Sequence, residues 1–396
     1  MQHRLPRLVG SLGFLLVSTF LLALLPLANP ITARAFGPDA AGNGGAVSHA
    51  KSLTRPAVGA SFSSDAKGRH FVYVNNGSNH NSISGYKFTK KGLTPLPGSP
   101  YPTGGTGGGY GYGGNQIAIS PDHKCVFASD GGGGTFNSFL INSDGSLTLV
   151  THATVEATYV QAIAVSPKGG VVFVDMYTGG YTSGPVDSFS IGSGCAMTEA
   201  QHSDIGNAPG SVAVSSDGTE LFVSSYAGGF INTYSISGTS FTLQQTNSAN
   251  PSSPGGLAVN GTTLYSGNAG ATETGAYTYN SSGVLTSLPG SPATDPQGSN
   301  SAQVWYDSKD NQLISSEQNS NSFGLYAVKN GTYTFVAHVA GTGNTPTAMT
   351  QIGHTLIVTN NGAGSISVYR VQPGKLIFKT TVPLPASGSP NGIAGF

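Results

Sequence analysis

A short apolar run recurs seven times along this chain, and that recurrence limits the fold more than any other feature. The copies are Phe71-Val-Tyr-Val, Cys125-Val-Phe-Ala, Val171-Val-Phe-Val, Leu221-Phe-Val-Ser, Leu264-Tyr-Ser-Gly, Leu313-Ile-Ser-Ser and Leu356-Ile-Val-Thr. Their starts fall about 43 to 54 residues apart, the period of a four-stranded propeller blade. The stretch Pro209–Gln245 shows one whole unit. Val212–Val214, Leu221–Val223, Ile231–Ile236 and Phe241–Leu243 are apolar runs rich in β-branched and aromatic residues, separated by Ser-Asp-Gly, Tyr-Ala-Gly-Gly and Ser-Gly-Thr. Runs of this kind joined by turn chemistry read as an antiparallel meander. A single small sheet leaves both faces open, so each copy needs neighbours.

The expected fold is therefore all-β: a seven-bladed β-propeller of four-stranded antiparallel blades spanning residues 57–396. Eight segments could serve as a blade's first strand, beginning at Val58, Ile117, Ala162, Val212, Leu257, Val304, Ala348 and Ile393, but the other three strands have only seven sets. Either Val58–Phe62 or Gly392–Phe396 must complete the blade holding Phe71–Val74. The carboxy terminus is the expected choice, because it follows Ser389-Pro390-Asn391 as other first strands follow Ser-Pro or Ala-Pro. Closure of that kind leaves no inner edge unpaired.

Residues 1–35 read as a signal peptide, with basic His3, Arg4 and Arg7, an apolar Leu8–Leu27 and a small-x-small site at Ala33-Arg34-Ala35. Residues 36–56 read as a flexible leader. This predicts a secreted or periplasmic protein with no stable membrane insertion after signal removal. Losing Arg4, Arg7 and Arg34 leaves the mature chain slightly acidic, from a starting 17 Lys+Arg against 17 Asp+Glu. Such a chain offers no strong overall field for nucleic acid. Cys125 follows a first-to-second turn and Cys195 lies in a third-to-fourth turn, which share a face. A bridge between adjacent blades and two separate thiols both remain open.

The motifs Ile119-Ser-Pro-Asp, Val165-Ser-Pro-Lys and Val214-Ser-Ser-Asp-Gly each lead toward an apolar strand. With Asn76-Gly-Ser-Asn-His-Asn-Ser-Ile-Ser-Gly-Tyr, Asn361-Gly-Ala-Gly-Ser-Ile-Ser-Val-Tyr and two Leu-Pro-Gly-Ser-Pro tails, the chain resembles the lactonase-like, YVTN-type seven-bladed propellers. That group includes enzymes similar to 6-phosphogluconolactonase. The resemblance implies a site at the mouth of the central channel and a Pro-Arg-His element leading into a first strand. This chain departs from it: the matching stretch is Ser301-Ala-Gln-Val-Trp, and no other first-strand approach carries Arg or His. A phosphorylated lactone needs fixed cations, and the mature chain has only Arg55, Arg69 and Arg370.

The mouth is expected to be ringed by loops rich in Asn, Gln, Ser, Thr and Tyr, which suit a neutral sugar or peptide. His80, Asp130, His152, Tyr159, Gln161, Tyr177, Asn268, Gln303 and Asn360 are the candidate ligand-binding residues. Asp175 and Glu317 are the candidate catalytic carboxylates, read as equivalent residues of blades three and six lining the channel. Neither a metal site nor a cofactor is expected. The Gly-rich runs Gly104–Gly114 and Gly131–Gly134 precede no helix and read as rim loops rather than phosphate cradles. The leading expectation is binding of a small neutral ligand or an envelope or extracellular protein without turnover; the alternative is hydrolysis of a non-phosphorylated lactone.

Overall fold

Each apolar run becomes a strand because it alternates its side chains between two neighbouring sheets. The computed structural model describes residues 68–108, 114–178, 183–385 and 388–396. The expected signal peptide, the leader, Val58–Phe62, Tyr110, Tyr112 and Tyr181 lie outside these residues. Among the described residues there is no α-helix, only two short 3₁₀ turns at Ser193–Cys195 and Asn361–Ala363.

Seven antiparallel four-stranded meanders follow one another. Blade four, for example, runs Pro209–Val214, Glu220–Ser225, Phe230–Ser237 and Ser240–Ser248, paired in that order. Blade one is completed by the carboxy terminus: Gly392–Gly395 pairs with His70–Asn75, Val72 standing opposite Gly395 and Asn75 opposite Gly392. Phe71 and Phe396 then exchange both backbone hydrogen bonds, at 3.2 and 3.1 Å. The seven innermost strands contact one another in a closed cycle, from Gly392–Gly395 through Ile117–Ile119 and on to Pro346–Ile352.

The outer strand is broken in two blades, at Gly92–Pro95 with Tyr101–Pro102 and at Leu285–Ser287 with Ala293–Thr294. The interruptions are the two Leu-Pro-Gly-Ser-Pro segments, whose prolines cannot donate to a ladder. Such breaks fall on edge strands, where they are tolerated.

The core is distributed over the seams, with one apolar cluster between each pair of adjacent blades. Phe71, Tyr73 and Ile83 meet Ile117, Val126 and Phe139 between blades one and two. Phe222 and Ile231 meet Leu264 and Tyr277 between blades four and five. An aromatic stands at the same register in every third strand: Tyr86, Phe139, Phe189, Tyr234, Tyr277, Tyr326 and Tyr369, opposite Val72, Val126, Val172, Leu221, Leu264, Leu313 and Leu356. These rings are buried and close each seam.

Cys125 and Cys195 form a disulfide, with Cα atoms 5.6 Å apart, on the face of the first-to-second turns. The bridge staples blade two to blade three across a loop of 70 residues. It also lies within the same seam cluster as Phe127, Phe136 and Phe189.

Two outcomes test this account. Ending the chain at Asn391 removes Ile393 and Phe396, both buried, and bares the inner edge of His70–Asn75. A loss of roughly 3–6 kcal/mol for the two side chains and aggregation through the open edge are expected, read by thermal melting and light scattering. The double substitution Cys125→Ser, Cys195→Ser is expected to cost about 4 kcal/mol in urea unfolding by the loop-entropy relation; an unchanged midpoint would count against the staple.

Candidate functional site

The second strand of each blade runs up to the mouth face, and its last residue decides what is buried beneath the loop arriving from the preceding blade. By register from the paired aromatics, Glu317 in blade six corresponds to Asp130 in blade two and Asn360 in blade seven. Asp175 does not share that place. It lies three residues after Val172, whereas Glu317 lies four after Leu313. A strand alternates its faces residue by residue, so the two carboxylates point into different seams. The expectation that they are equivalent is corrected by this one-residue offset.

Neither carboxylate lines the channel openly. Asp175 is fully buried, and its Oδ1 accepts from the Ala162 backbone N–H at 2.5 Å. Its Oδ2 has no hydrogen-bond partner. Burial pushes the Asp175 carboxyl up to about 8 against the pull of that backbone bond. Asp175 therefore ties strands together and holds a proton near neutrality.

Glu317 heads a cluster that the sequence reading found only in part. Its Oε2 accepts from Ser322 Oγ at 2.7 Å. From the loop of blade five, Asp295 Oδ2 accepts from His338 Nδ1 at 2.8 Å, and the same nitrogen lies 3.7 Å from Glu317 Oε2. Asp295 Oδ1 is fixed by the Gln297 N–H at 2.9 Å. Both carboxylates are fully buried, while the His338 side chain keeps 20% of its surface. The imidazole is thus the part of the cluster that solvent reaches. Burial raises the Glu317 carboxyl well above its usual range, and the nearby Asp295 carboxylate adds to this, against the Ser322 bond.

Two glycines make room for it. A Cβ on Gly298 would come within 2.3 Å of Glu317 Oε1, and one on Gly324 within 2.8 Å. Gly324 stands opposite His338, in the place held by Asn137 opposite His152 and Asp187 opposite His202. Three blades therefore carry His at one equivalent position of the outer strand.

Blade two shows what the same architecture does when every group is satisfied. Asp130 accepts from Asn81 Nδ2, Thr103 Oγ1, Thr135 Oγ1 and Asn137 Nδ2 at 2.5–2.8 Å. His152 Nδ1 donates to Asn137 Oδ1 at 2.6 Å. Three residues past the Leu-Pro-Gly-Ser-Pro segment stands Thr103 before blade two and Asp295 before blade six. Exchanging that Thr for Asp, and Asn137 for Gly324, turns a saturated network into two facing acids beside a histidine. Asp187, with His202 2.8 Å away, is a third variant, its carboxyl raised by burial against the pull of the imidazole.

The other candidates divide. Gln303 spans the central channel, its Nε2 donating to Gly114 O at 2.5 Å from blade six to blade two. Asn360 donates to Ser365 and Ser367, and Asn268 to Glu273. Tyr159 stacks on the buried Tyr177 with ring centroids 4.7 Å apart. Gln161 is buried, its Oε1 without a hydrogen-bond partner, and His80 is exposed in the loop of blade one. The candidates are thus spread around the ring rather than gathered on one ligand.

The clusters Asp295–Glu317–His338 and Asp187–Glu199–His202 each bring their ligand atoms within 4.8 Å of one another. These are the donor types a divalent cation takes, and the sequence reading, which expected no metal, did not see them. Sequence spacing hides them: His338 comes from a fourth strand and both its partners from other elements, and Glu199 shares the strand of His202 but Asp187 does not.

No family model matches the chain, and no curated protein matches it. Solved structures do. A periplasmic gluconolactonase of Pseudomonas aeruginosa superposes with a TM-score of 0.68 at 16% identity, covering 83% of this chain and 99% of that one. A candidate 6-phosphogluconolactonase of Bacteroides fragilis gives 0.68 at 16% identity over 84% and 99%. One of Bacteroides uniformis gives 0.69 at 17% over 83% and 99%. The fold is the lactonase-like propeller.

Within that fold the charge is divided. Of the eleven Lys and Arg among the described residues, none lies in a mouth-face loop, whereas Asp130, Glu156, Glu273, Asp295 and Glu317 lie at that end.

The buried acids give a pH test. A carboxyl raised from 3.8 to about 8 in the folded state contributes stability that is fully present below the lower value and is lost as pH rises through the upper one. Unfolding free energy should therefore fall by several kcal/mol across that window. Asp175→Asn should flatten part of the fall, giving a variant more stable than the parent above pH 8 in urea titrations. Parallel curves for the two proteins would contradict the assignment.

Proposed function

We propose that this protein is a hydrolase of uncharged lactones on a lactonase-like propeller, with His338 as the base that activates water. One observation carries the reading: a histidine held by a buried carboxylate, its side chain 20% exposed, beside an acid that keeps its proton. Asp295 accepts from Nδ1, so Nε2 is the nitrogen left to take a proton from water. The hydroxide adds to the lactone carbonyl, the ring C–O bond breaks, and the proton held on His338 passes to the departing alkoxide. Asp295 orients the ring and stabilises the imidazolium. Glu317 is buried away from substrate and is a positioning residue. Protonated, it adds no second negative charge beside Asp295.

The absence of Lys and Arg from the described mouth loops supports an uncharged substrate, since phosphate binding relies on fixed cations. The disulfide supports an oxidising, extracytoplasmic setting, in line with the secreted or periplasmic expectation. Binding of a neutral ligand or protein without turnover remains a second reading. It is favoured by the first-strand approaches, which carry no Arg or His.

Glucono-δ-lactone and its 6-phosphate, compared in a pH-stat assay above the spontaneous rate, separate these. The expected outcome is turnover of the uncharged lactone alone. His338→Gln should lower kcat roughly 10²–10⁴-fold, and Glu317→Gln should leave activity within about threefold, because a neutral amide replaces a neutral acid. Loss in Glu317→Gln with retention in His338→Gln would move the base to Glu317. No turnover at all would leave the binding reading.

A further inference from the structure

An open cavity lies on the face opposite the mouth, where blade seven closes onto blade one. It is a groove of about 1510 Å³ between blades six, seven and one. Seven of the eleven described Lys and Arg line it: Arg69, Lys87, Lys90 and Lys91 from blade one, Lys309 from blade six, Arg370 and Lys379 from blade seven. Net charge conceals this. The near-neutral total argued against a basic field, but folding collects the cations of distant strands onto one face.

Arg69 aside, no carboxylate lining the groove is left free to neutralise them. Its one carboxylate, Asp307, is buried and already accepts from Lys309 N at 3.0 Å, Gln351 Nε2 at 2.8 Å and Gln312 Nε2 at 3.3 Å. The six cations other than Arg69 are exposed, and none of these six is ion-paired with a carboxylate of the described residues. Maintaining six like charges together is unfavourable unless a counter-charge arrives.

We propose that this groove binds a segment of an acidic polysaccharide. The cations are spread over three blades and are mostly Lys, so they suit anionic groups spaced along a chain better than one phosphate clamped by a guanidinium fork. Trp305, Tyr306 and Phe88 also line the groove as half-buried rings. The Trp305 indole is anchored by its Nε1 donating to Gln351 Oε1 at 3.0 Å. Rings set between cations offer apolar faces to sugar C–H groups. A single-stranded nucleic acid would draw on a succession of exposed aromatic platforms, which these half-buried rings do not supply.

The test is fluorescence anisotropy of a labelled polygalacturonate oligomer with the full protein. Saturable binding that weakens steeply with salt is expected. The triple reversal Lys90→Glu, Lys91→Glu, Arg370→Glu should weaken it about tenfold or more, while Lys124→Glu with Lys168→Glu, on the same face but in blades two and three, should change it less than about twofold. No saturable binding at low salt, equal losses in both variants, or equal affinity for a neutral galactan would overturn the proposal. So would tighter binding of oligothymidylate, which would assign the groove to nucleic acid.

Discussion

Everything in this molecule rests on burial at the seams. Each four-stranded sheet is too small to cover its own faces, and each finds cover on both sides only because the circle is complete. Val72 and Val74 face blade seven while Phe71 and Tyr73 face blade two, so blade one depends on both neighbours at once. The carboxy-terminal strand supplies the last contact, with Ile393 in one seam and Phe396 in the next. The disulfide adds a covalent tie at a seam that is already apolar.

Polar chemistry in such a ring is set by what a seam tolerates. Where second strands end, the arriving loop must satisfy a buried side chain, and blade two does so completely around Asp130. Blade six keeps the geometry but replaces neutral partners with an acid and a glycine. The cost of burying two carboxylates together is then relieved by protonation of Glu317 and by His338 beside Asp295. Chemically distinctive sites in a repeat protein arise this way, from a repeat that departs from its own pattern.

Much of this was readable in advance. The seven recurrences, the turn residues and the Ser-Pro-Asn approach to the last strand specified blade number and closure, because local periodicity and the need for neighbours act on short segments. Glu317 was visible as the last residue of its strand. Asp295 and His338 were not, since nothing in the neighbourhood of Pro296 or Val339 signals a partner 22 or 43 residues distant. The supposed match of Asp175 to Glu317 failed because the aromatic of blade three stands opposite the second residue of its run, Val172, whereas that of blade six stands opposite the first, Leu313.

By itself the sequence determined what each segment prefers: strand, turn, apolar face, and a repeat that must close on itself. Tertiary structure alone decided which distant side chains meet. It paired Cys125 with Cys195, set His338 against Asp295, carried Gln303 across the channel, and gathered cations from three blades into one groove. Strand preference is a property of neighbouring residues, whereas these encounters depend on the angle at which one sheet packs on the next, which no local pattern encodes.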